Sequence, residues 1–268
     1  MITRRRFLAG LAGGLVVAAC GGGSDDRPRS IATVTRPPDP GALELTWWGQ
    51  AMFVVTSPDG TRILMDPYGD IGYRLPAAEE LAADIVTVSH EHPDHNNVGL
   101  VGEGPLVLHG LTDDGRFSEI DERTSDMRIE SVQSFHDNAE GAERGRNAIV
   151  VLESTFIRIV HLGDLGQLAL TNEQIDDIGD VDVLLIPVGG GFTIDAAAAT
   201  NIVAQLAPRV VVPMHYGTPA LNIDLEPVDA FLEGKTVREV GGSTAELAVD
   251  ALPEPGAAEV WVLEPAGG

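Results

Sequence analysis

The sequence predicts an α/β fold that carries a polar site at one edge of its sheets. Apolar runs typical of buried strands end repeatedly in loops rich in glycine or polar residues, and helical segments follow several of these loops. The most polar loop, residues 89–95, comes directly after the apolar run 85–88. Open α/β sheets place functional residues at the carboxyl ends of their strands. Loop 89–95 is therefore the expected centre of a functional site.

The individual elements follow from apolar runs and the turn residues between them. We predict strands at residues 43–48, 51–56, 61–65, 85–88, 106–109, 128–135, 147–152, 156–161, 181–187, 209–213 and 260–263. Helices are predicted at residues 77–83, 171–178, 195–206 and 228–232. Asp195 is the expected N-cap of the third helix, and Asp94 and His95 are expected to open a helix after loop 89–95.

Length and charge limit the possible functions. A chain of 268 residues is long enough for one substantial core. The formal net charge of −24 repels phosphate backbones, so a nucleic-acid partner is not expected. A solvated acidic surface explains most of this charge.

The N-terminus has the pattern of an export signal. Arginines at positions 4–6 precede an apolar run, residues 9–19, that is too short to span a membrane comfortably. Residues 1–19 resemble a twin-arginine signal peptide, with an ordinary secretory signal as the alternative.

The end of this signal resembles a lipobox. Residues 17–20 read Val-Ala-Ala-Cys, and Cys20 is the only cysteine, so no disulfide can form within the chain. We predict that Cys20 is lipidated and anchors the protein on the extracytoplasmic side of a membrane; a buried core cysteine is the alternative. Residues 20–41, rich in Gly, Ser, Asp and Pro, are the expected flexible tether of a folded domain at residues 42–265.

Loop 89–95 has the composition of a metal site. In an extended loop, the alternating His90 and His92 can face one point, whereas the adjacent Asp94 and His95 can face a second point nearby. Imidazole and carboxylate ligands suit Zn²⁺, with Mn²⁺ or Fe²⁺ possible. Three of the seven histidines fall within residues 90–95, which argues against a chance cluster on a polar surface loop.

Further candidate ligands recur at strand ends. His136, His161 and His215 stand at or just after the ends of apolar runs, Asp164 follows His161 by three residues, and Asp66 ends the third run. A single histidine at such a position is usually structural. Their coincidence with loop 89–95 indicates one shared site.

The segment His90-Glu91-His92-Pro93-Asp94-His95 matches the His-x-His-x-Asp-His signature of the metallo-β-lactamase superfamily. The later order of a histidine, a Gly-Asp pair and a strand-end histidine is also similar. Residues 162–164, 187–190 and 213–216 most closely resemble the branch that contains the L-ascorbate-6-phosphate lactonase.

This resemblance implies a fold and a ligand set. The fold would be a four-layer αββα sandwich, with a hydrolase domain over residues 42–265 and two divalent metal ions, most readily zinc, at one edge. The implied ligands are His90, His92 and His136 for the first ion, Asp94, His95 and His215 for the second, and Asp164 as a bridge. Asp66 would orient ligands. His161 could replace His136, but the resemblance favours His136 and leaves His161 as a supporting residue.

The expected chemistry is hydrolysis of a small molecule. Two such ions can lower the pKa of a shared water to about 7, and Asp94 could orient the hydroxide and pass its proton to a leaving group. The bond could be an ester, lactone, amide or phosphodiester. A β-lactam-hydrolysing enzyme and an extracytoplasmic metal-binding protein without turnover are the alternatives, and the sequence does not define the oligomeric state.

Substrate contacts are weakly defined by sequence. Phe192, in the glycine-rich loop 189–193, is an expected pocket wall, Tyr216 a possible oxyanion donor and Asn147 a possible contact to an anionic group. Arg144 and Arg146 are further candidates for an anion contact. Packing or exposed surface charge is the alternative for each.

Overall fold

The computed structural model describes residues 41–154 and 156–268. The expected signal peptide, Cys20 and the tether as far as residue 40 lie outside these residues. Within the described ranges, no helix combines the length and the apolar character needed to cross a bilayer.

Fourteen strands and four α-helices are present in the described residues. The strands are β1 Leu43–Gly49, β2 Met52–Thr56, β3 Arg62–Met65, β4 Ile85–Val88, β5 Leu106–His109, β6 Asp121–Arg123, β7 Met127–Phe135, β8 Arg146–Ser154, β9 Arg158–His161, β10 Val183–Pro187, β11 Val210–Met214, β12 Val237–Glu239, β13 Thr244–Leu247 and β14 Glu259–Val262. The helices are α1 Ala78–Leu81, α2 Asn172–Ile178, α3 Ala196–Leu206 and α4 Asp229–Leu232, with a 3-10 helix at Val98–Val101.

The strands form two mixed sheets. The first has the order β13-β1-β2-β3-β4-β5, and the second has the order β12-β14-β11-β10-β9-β8-β7-β6. In the first sheet β3, β4 and β5 run parallel, and in the second β9, β10, β11 and β14 run parallel. β7 has the same direction as β9, because both pair antiparallel with β8. The carboxyl ends of β7, β9 and β11 therefore lie at one edge of the second sheet.

Strand β2, in the middle of the first sheet, is buried on both faces. Phe53 and Val55 of β2 join a core cluster that also contains Ile159 and Val211 of the second sheet. The alternate residues of β2 join a separate cluster with Leu81 of α1. A strand buried on both faces has no polar alternation, which is why β2 appears in the sequence as a continuous apolar run.

Most predicted elements are present within one or two residues of their expected bounds. Asp195 caps α3 as expected, since its side chain accepts a hydrogen bond from the Ala198 N–H at 2.8 Å. The predicted α/β class is confirmed.

Two differences from the expected elements have physical reasons. Asp94 and His95 do not open a helix: the His95 and Asn96 N–H groups both donate to the His92 carbonyl, so the chain makes a closed turn. The next helical segment starts only at Val98. Strands β6, β12 and β13 were not predicted, because they lie at sheet edges and their charged residues give no apolar run.

Candidate metal centre

Four loops bring seven potential metal ligands together. Loop 89–95 follows β4 of the first sheet, and His136, Asp164 and His215 follow β7, β9 and β11 of the second. Among the described residues, the ligand atoms of His90, His92 and His136 lie within 4.8 Å of one another. The same holds for a group formed by Asp94, His95, Asp164 and His215. The cluster therefore sits where edges of the two sheets meet.

Asp164 lies between the two groups. Its Oδ2 atom is 3.3 Å from the Nε2 atoms of both His136 and His215, and 3.9 Å from His90 Nε2. Its Oδ1 atom is 3.1 Å from His95 Nε2. Burial alone would raise the pKa of Asp164, but His215 and His95 outweigh it and hold this pKa well below its ordinary value. Asp164 is thus an anionic centre that contacts both groups.

The Asp66 carboxylate orients two of the imidazoles. Its oxygens accept hydrogen bonds from the Ser89 N–H at 2.8 Å and the Ser89 hydroxyl at 2.6 Å, and from His95 Nδ1 at 2.8 Å. The Ser89 hydroxyl thereby leaves its oxygen to accept from His90 Nδ1, 3.0 Å away. Both histidines then point Nε2 towards Asp164, so one buried carboxylate sets their orientation.

Burial and neighbouring charges shift the pKa values of the cluster residues in different directions. Burial and the proximity of His95 lower the pKa of His90 well below its ordinary value, and burial also lowers the pKa of His136. Burial likewise disfavours charge on His95, but Asp164 and Asp66 outweigh it and raise the pKa of His95 well above its ordinary value. Burial would raise the pKa of Asp94, yet His95 holds it below its usual range. The carboxylates are therefore ionised, as metal ligands must be.

The donor atoms fit a divalent cation. The Nε2 atom of His95 and the Oδ1 atom of Asp164 are buried and lie 3.1 Å apart, and neither makes a well-aligned hydrogen bond with any described residue. The ring nitrogens His90 Nε2 and His92 Nδ1 face each other at 3.0 Å. This distance allows a hydrogen bond between the two rings, and a bound cation would take the lone pairs of both nitrogens in its place. Imidazole nitrogens with carboxylate oxygens are the set that Zn²⁺ prefers, with Mn²⁺ and Fe²⁺ also compatible.

His161 lies outside both groups. Its Nε2 atom is 2.8 Å from the Ala51 carbonyl, and its Nδ1 atom accepts a hydrogen bond from the Gly163 N–H at 3.1 Å. Burial lowers the pKa of this imidazole. With both nitrogens engaged, His161 supports the chain just before Asp164.

A cavity of about 600 Å³ opens over the cluster. Its floor includes His92, Asp94, His136 and Asp164, and Phe192 forms part of its wall. Phe192 is 48% exposed, so its ring is available to a ligand. Phe192 therefore lines the cavity, and its contact with a substrate stays a prediction.

Two residues that were expected to contact a substrate lie outside the cavity lining. The fully buried Asn147 amide donates to Ser134 and to the Leu162 carbonyl, and its oxygen accepts from the Asp164 N–H at 2.9 Å. Asn147 therefore positions the backbone of Asp164. Tyr216 packs against Trp47 in the core with ring centroids 5.3 Å apart and does not line the cavity. Burial raises the pKa of the Tyr216 hydroxyl above its ordinary value.

Gln50 also belongs to the site, although it was not predicted from the sequence. This buried residue, in the turn between β1 and β2, donates from Nε2 to Asp94 Oδ2 at 3.0 Å, and its carbonyl accepts from the His215 N–H. Its Oε1 atom is buried without a partner among the described residues. A glutamine in a short turn has no pattern that marks it as functional, so no sequence signal could have identified it.

Comparison with known proteins agrees with this geometry. Two mixed sheets with a His/Asp cluster at their edge define a protein of the metallo-β-lactamase fold. A model described as "Beta-lactamase superfamily domain" matches residues 44–215. A UPF0173 metal-dependent hydrolase of Anaeromyxobacter sp. (strain K) is 31% identical, over 73% of this chain and 82% of that protein. A second, from Polynucleobacter asymbioticus, is also 31% identical, over 75% of this chain and 84% of that protein.

A solved structure gives the same result. A proposed Zn-dependent hydrolase of the metallo-β-lactamase superfamily from Thermotoga maritima is 31% identical and superposes with a TM-score of 0.62. The match covers 83% of this chain and 99% of that protein. The chain thus belongs to the metallo-β-lactamase superfamily and, within it, to the family of UPF0173 metal-dependent hydrolases.

Proposed function

We propose that this protein is a hydrolase that uses two divalent metal ions, most readily zinc, to cleave an ester or lactone bond of a small molecule. The observation that carries the proposal is the convergence of two ligand groups on Asp164 at the floor of a cavity. A structural zinc site usually closes with four ligands and often uses cysteine. Seven candidate ligands beneath an open cavity fit a catalytic site better.

The ligand assignment follows the two groups. His90, His92 and His136 would hold one ion, and Asp94, His95 and His215 would hold the other. Asp164 would bridge them, since its Oδ2 atom lies 3.3 Å from both His136 and His215. Asp66 would fix the imidazoles of His90 and His95 through the hydrogen bonds described above.

The side chains of Asp94 and Gln50 would then assist the reaction. Bound divalent ions would supply Lewis acidity and lower the pKa of water to about 7. The Asp94 carboxylate faces the cavity, and Gln50 holds one of its oxygens. Asp94 is therefore placed to take a proton from the attacking water and to return it to the leaving group.

Sequence likeness and the charge of the chain favour a lactone or an ester as the substrate bond. The resemblance of residues 162–164, 187–190 and 213–216 to the lactonase-like branch supports a lactone or ester. A phosphodiester substrate fits less well with a net charge of −24. A β-lactam remains an alternative because it is also a cyclic acyl compound, and a protein that holds metal without turnover is the second alternative.

The proposal also includes the localisation of the protein in the cell. The arginines at positions 4–6, the apolar run after them and Cys20 support export and a lipid anchor on the extracytoplasmic side.

The decisive experiment measures metal content and hydrolysis together. We expect His92→Ala and Asp164→Ala to lower bound zinc and to abolish hydrolysis on a panel of lactones, esters, bis-para-nitrophenyl phosphate and nitrocefin. His109→Ala is the matched control, because His109 pairs with Glu91 outside both ligand groups. Unchanged zinc in both variants would refute the ligand assignment. Bound zinc without turnover in the unaltered protein would favour the non-catalytic alternative, and selective turnover of nitrocefin would favour the β-lactam alternative.

A further inference from the structure

Arg144 presents a positive charge to the cavity above the cluster. It lines this cavity, and its guanidinium carbon lies 5.9 Å from the centre of the Phe192 ring. One terminal nitrogen donates to the Gly191 carbonyl at 3.0 Å. Within the described part of the chain, its side chain makes no other hydrogen bond and no ion pair with a carboxylate. A guanidinium carries several N–H donors, so most of them remain available to a ligand.

The loop that carries Arg144 is held in place. The Asp137 carboxylate accepts hydrogen bonds from four backbone N–H groups, those of residues 139, 141, 143 and 144, at 2.7–2.9 Å. These bonds fix the backbone of Arg144 before any ligand arrives. Binding through a fixed group costs less conformational entropy than binding through a mobile one.

The cavity wall is mainly apolar. Ile71, Pro93, Phe192 and Ile223 line it. The loops that carry Ile71 and Ile223 are tied together, because the Asn222 N–H donates to the Ile71 carbonyl at 2.8 Å. The cavity therefore offers apolar contact between the cluster at its floor and the cation of Arg144.

We propose that the substrate is an ester or lactone with an apolar chain that ends in a single carboxylate, and that Arg144 binds this carboxylate. The inference rests on the proposed hydrolase function and adds the class of substrate to it. A guanidinium and a carboxylate can form two parallel hydrogen bonds, which fixes the orientation of the chain. The scissile bond is then directed towards the floor of the cavity.

The cavity suits a substrate group with one negative charge better than a group with two. Glu143 also lines the cavity, and the chain as a whole carries a net charge of −24. One exposed guanidinium beside this carboxylate can balance a carboxylate ligand, whereas a phosphate monoester carries close to two charges at neutral pH. The cavity therefore favours a monoanion over a phosphate monoester.

The test compares two esters of equal chain length. The zinc-loaded protein is assayed with para-nitrophenyl hydrogen adipate, which ends in a carboxylate, and with para-nitrophenyl hexanoate, which does not. We expect Arg144→Gln to raise KM for the adipate ester about five- to tenfold and to leave the hexanoate ester nearly unchanged. Glu143→Gln should act in the opposite direction and lower KM for the adipate ester.

Arg146→Gln is the matched control. Arg146 also lies over a phenylalanine, at 5.5 Å from Phe117, and donates to a backbone carbonyl, but it does not line the cavity. The Arg146→Gln variant should change KM for neither the adipate ester nor the hexanoate ester. Arg144→Lys keeps the charge but loses the two parallel bonds, so it should restore part of the preference for the adipate ester.

The outcomes separate the two proposals. If both esters are cleaved but Arg144→Gln affects them equally, or no more than Arg146→Gln does, the carboxylate inference is wrong and the hydrolase proposal stands. A para-nitrophenyl ester whose chain ends in a phosphate monoester tests the charge. If the protein prefers this ester to the adipate ester, the inference of a singly charged substrate is wrong. If the unaltered protein cleaves no ester or lactone at all, the proposed function fails and the inference fails with it.

Discussion

At the scale of single residues, the centre depends on side chains that do not themselves belong to either ligand group. Asp66 and Ser89 form one hydrogen-bonded unit that reaches His90 and His95. Asn147 holds the backbone of Asp164, and Gln50 holds the Asp94 carboxylate. Each of these residues fixes the direction in which a ligand points. Metal affinity and rate should therefore respond separately to different supporting residues.

Ser89→Ala should weaken zinc binding about tenfold, because His90 loses the hydroxyl that orients it. Ser131→Ala is the control, since among the described residues its hydroxyl bonds only to backbone groups of residues 118 and 120. Competition with a coloured zinc chelator measures both affinities. Equal affinities for the two variants would contradict the role given to Ser89.

Gln50→Ala should lower kcat about 10- to 100-fold while the bound zinc stays the same. Asp94 loses the hydrogen bond that holds one oxygen, but the ligand atoms remain. Gln133→Ala, an exposed change on β7, is the control. Steady-state kinetics and elemental analysis of the same samples check this prediction, and a parallel loss of zinc would show that Gln50 acts on the ligands instead.

At the scale of elements, the cluster requires strand ends to pack closely. Gly163, between β9 and Asp164, has a φ of +54°, and a Cβ atom there would clash with the Asn147 side chain and Ser89. Both neighbours belong to the hydrogen-bonded support of the centre. The glycine therefore allows the loop after β9 to approach the loop after β4.

Gly163→Ala should destabilise the metal-free protein by about 1–3 kcal/mol more than Gly115→Ala. Gly115 also has a positive φ, of +71°, but a Cβ atom added there would meet no other atom within 4 Å. Both variants share the backbone cost of roughly 1 kcal/mol, so the difference reports the clash alone. Urea unfolding measures it; equal midpoints for the two variants would show that the loop gives way without cost.

The elements were predictable to different degrees. Strands such as β4 and β10 are buried on all sides, so their apolar runs mark them clearly in the sequence. Edge strands such as β6 and β12 are stabilised by pairing with a neighbour, and their exposed charged residues resemble a loop. The turn after β4 was mistaken for a helix start because acidic residues are also common at helix N-termini.

At the scale of the molecule, the centre connects the two sheets. Loop 89–95 belongs to the first sheet, whereas His136, Asp164 and His215 belong to the second. An ion bound by ligands from both sheets would bind the folded state and not the unfolded chain. Bound metal should therefore stabilise the whole fold.

Zinc at about 100 times its Kd should stabilise the fold by about 2.7 kcal/mol, which raises Tm by roughly 5–10 °C for a domain of this size. Thermal unfolding with zinc and with a chelator measures the shift. Asp164→Ala is the control and should lose most of it. A Tm that does not depend on zinc would mean that no ion joins the sheets.

The site was only partly predictable because sequence reveals residue types but not which loops meet. The spacing within loop 89–95 and the strand-end positions of His136, Asp164 and His215 pointed to residues that the fold brings together. The positions of the residues that support the ligands depend on how the fold packs. Asn147 turned inwards and Gln50 came from a distant turn, and neither position is marked by any sequence pattern.

The central claim is that the His/Asp cluster is a metal centre with Asp164 at its middle. Anomalous X-ray diffraction from zinc-soaked crystals, measured on both sides of the zinc absorption edge, tests it most directly. We expect two peaks, one among His90, His92 and His136 and one among Asp94, His95 and His215, each in contact with Asp164. Peaks elsewhere in the molecule, or none at the cluster, would contradict the account.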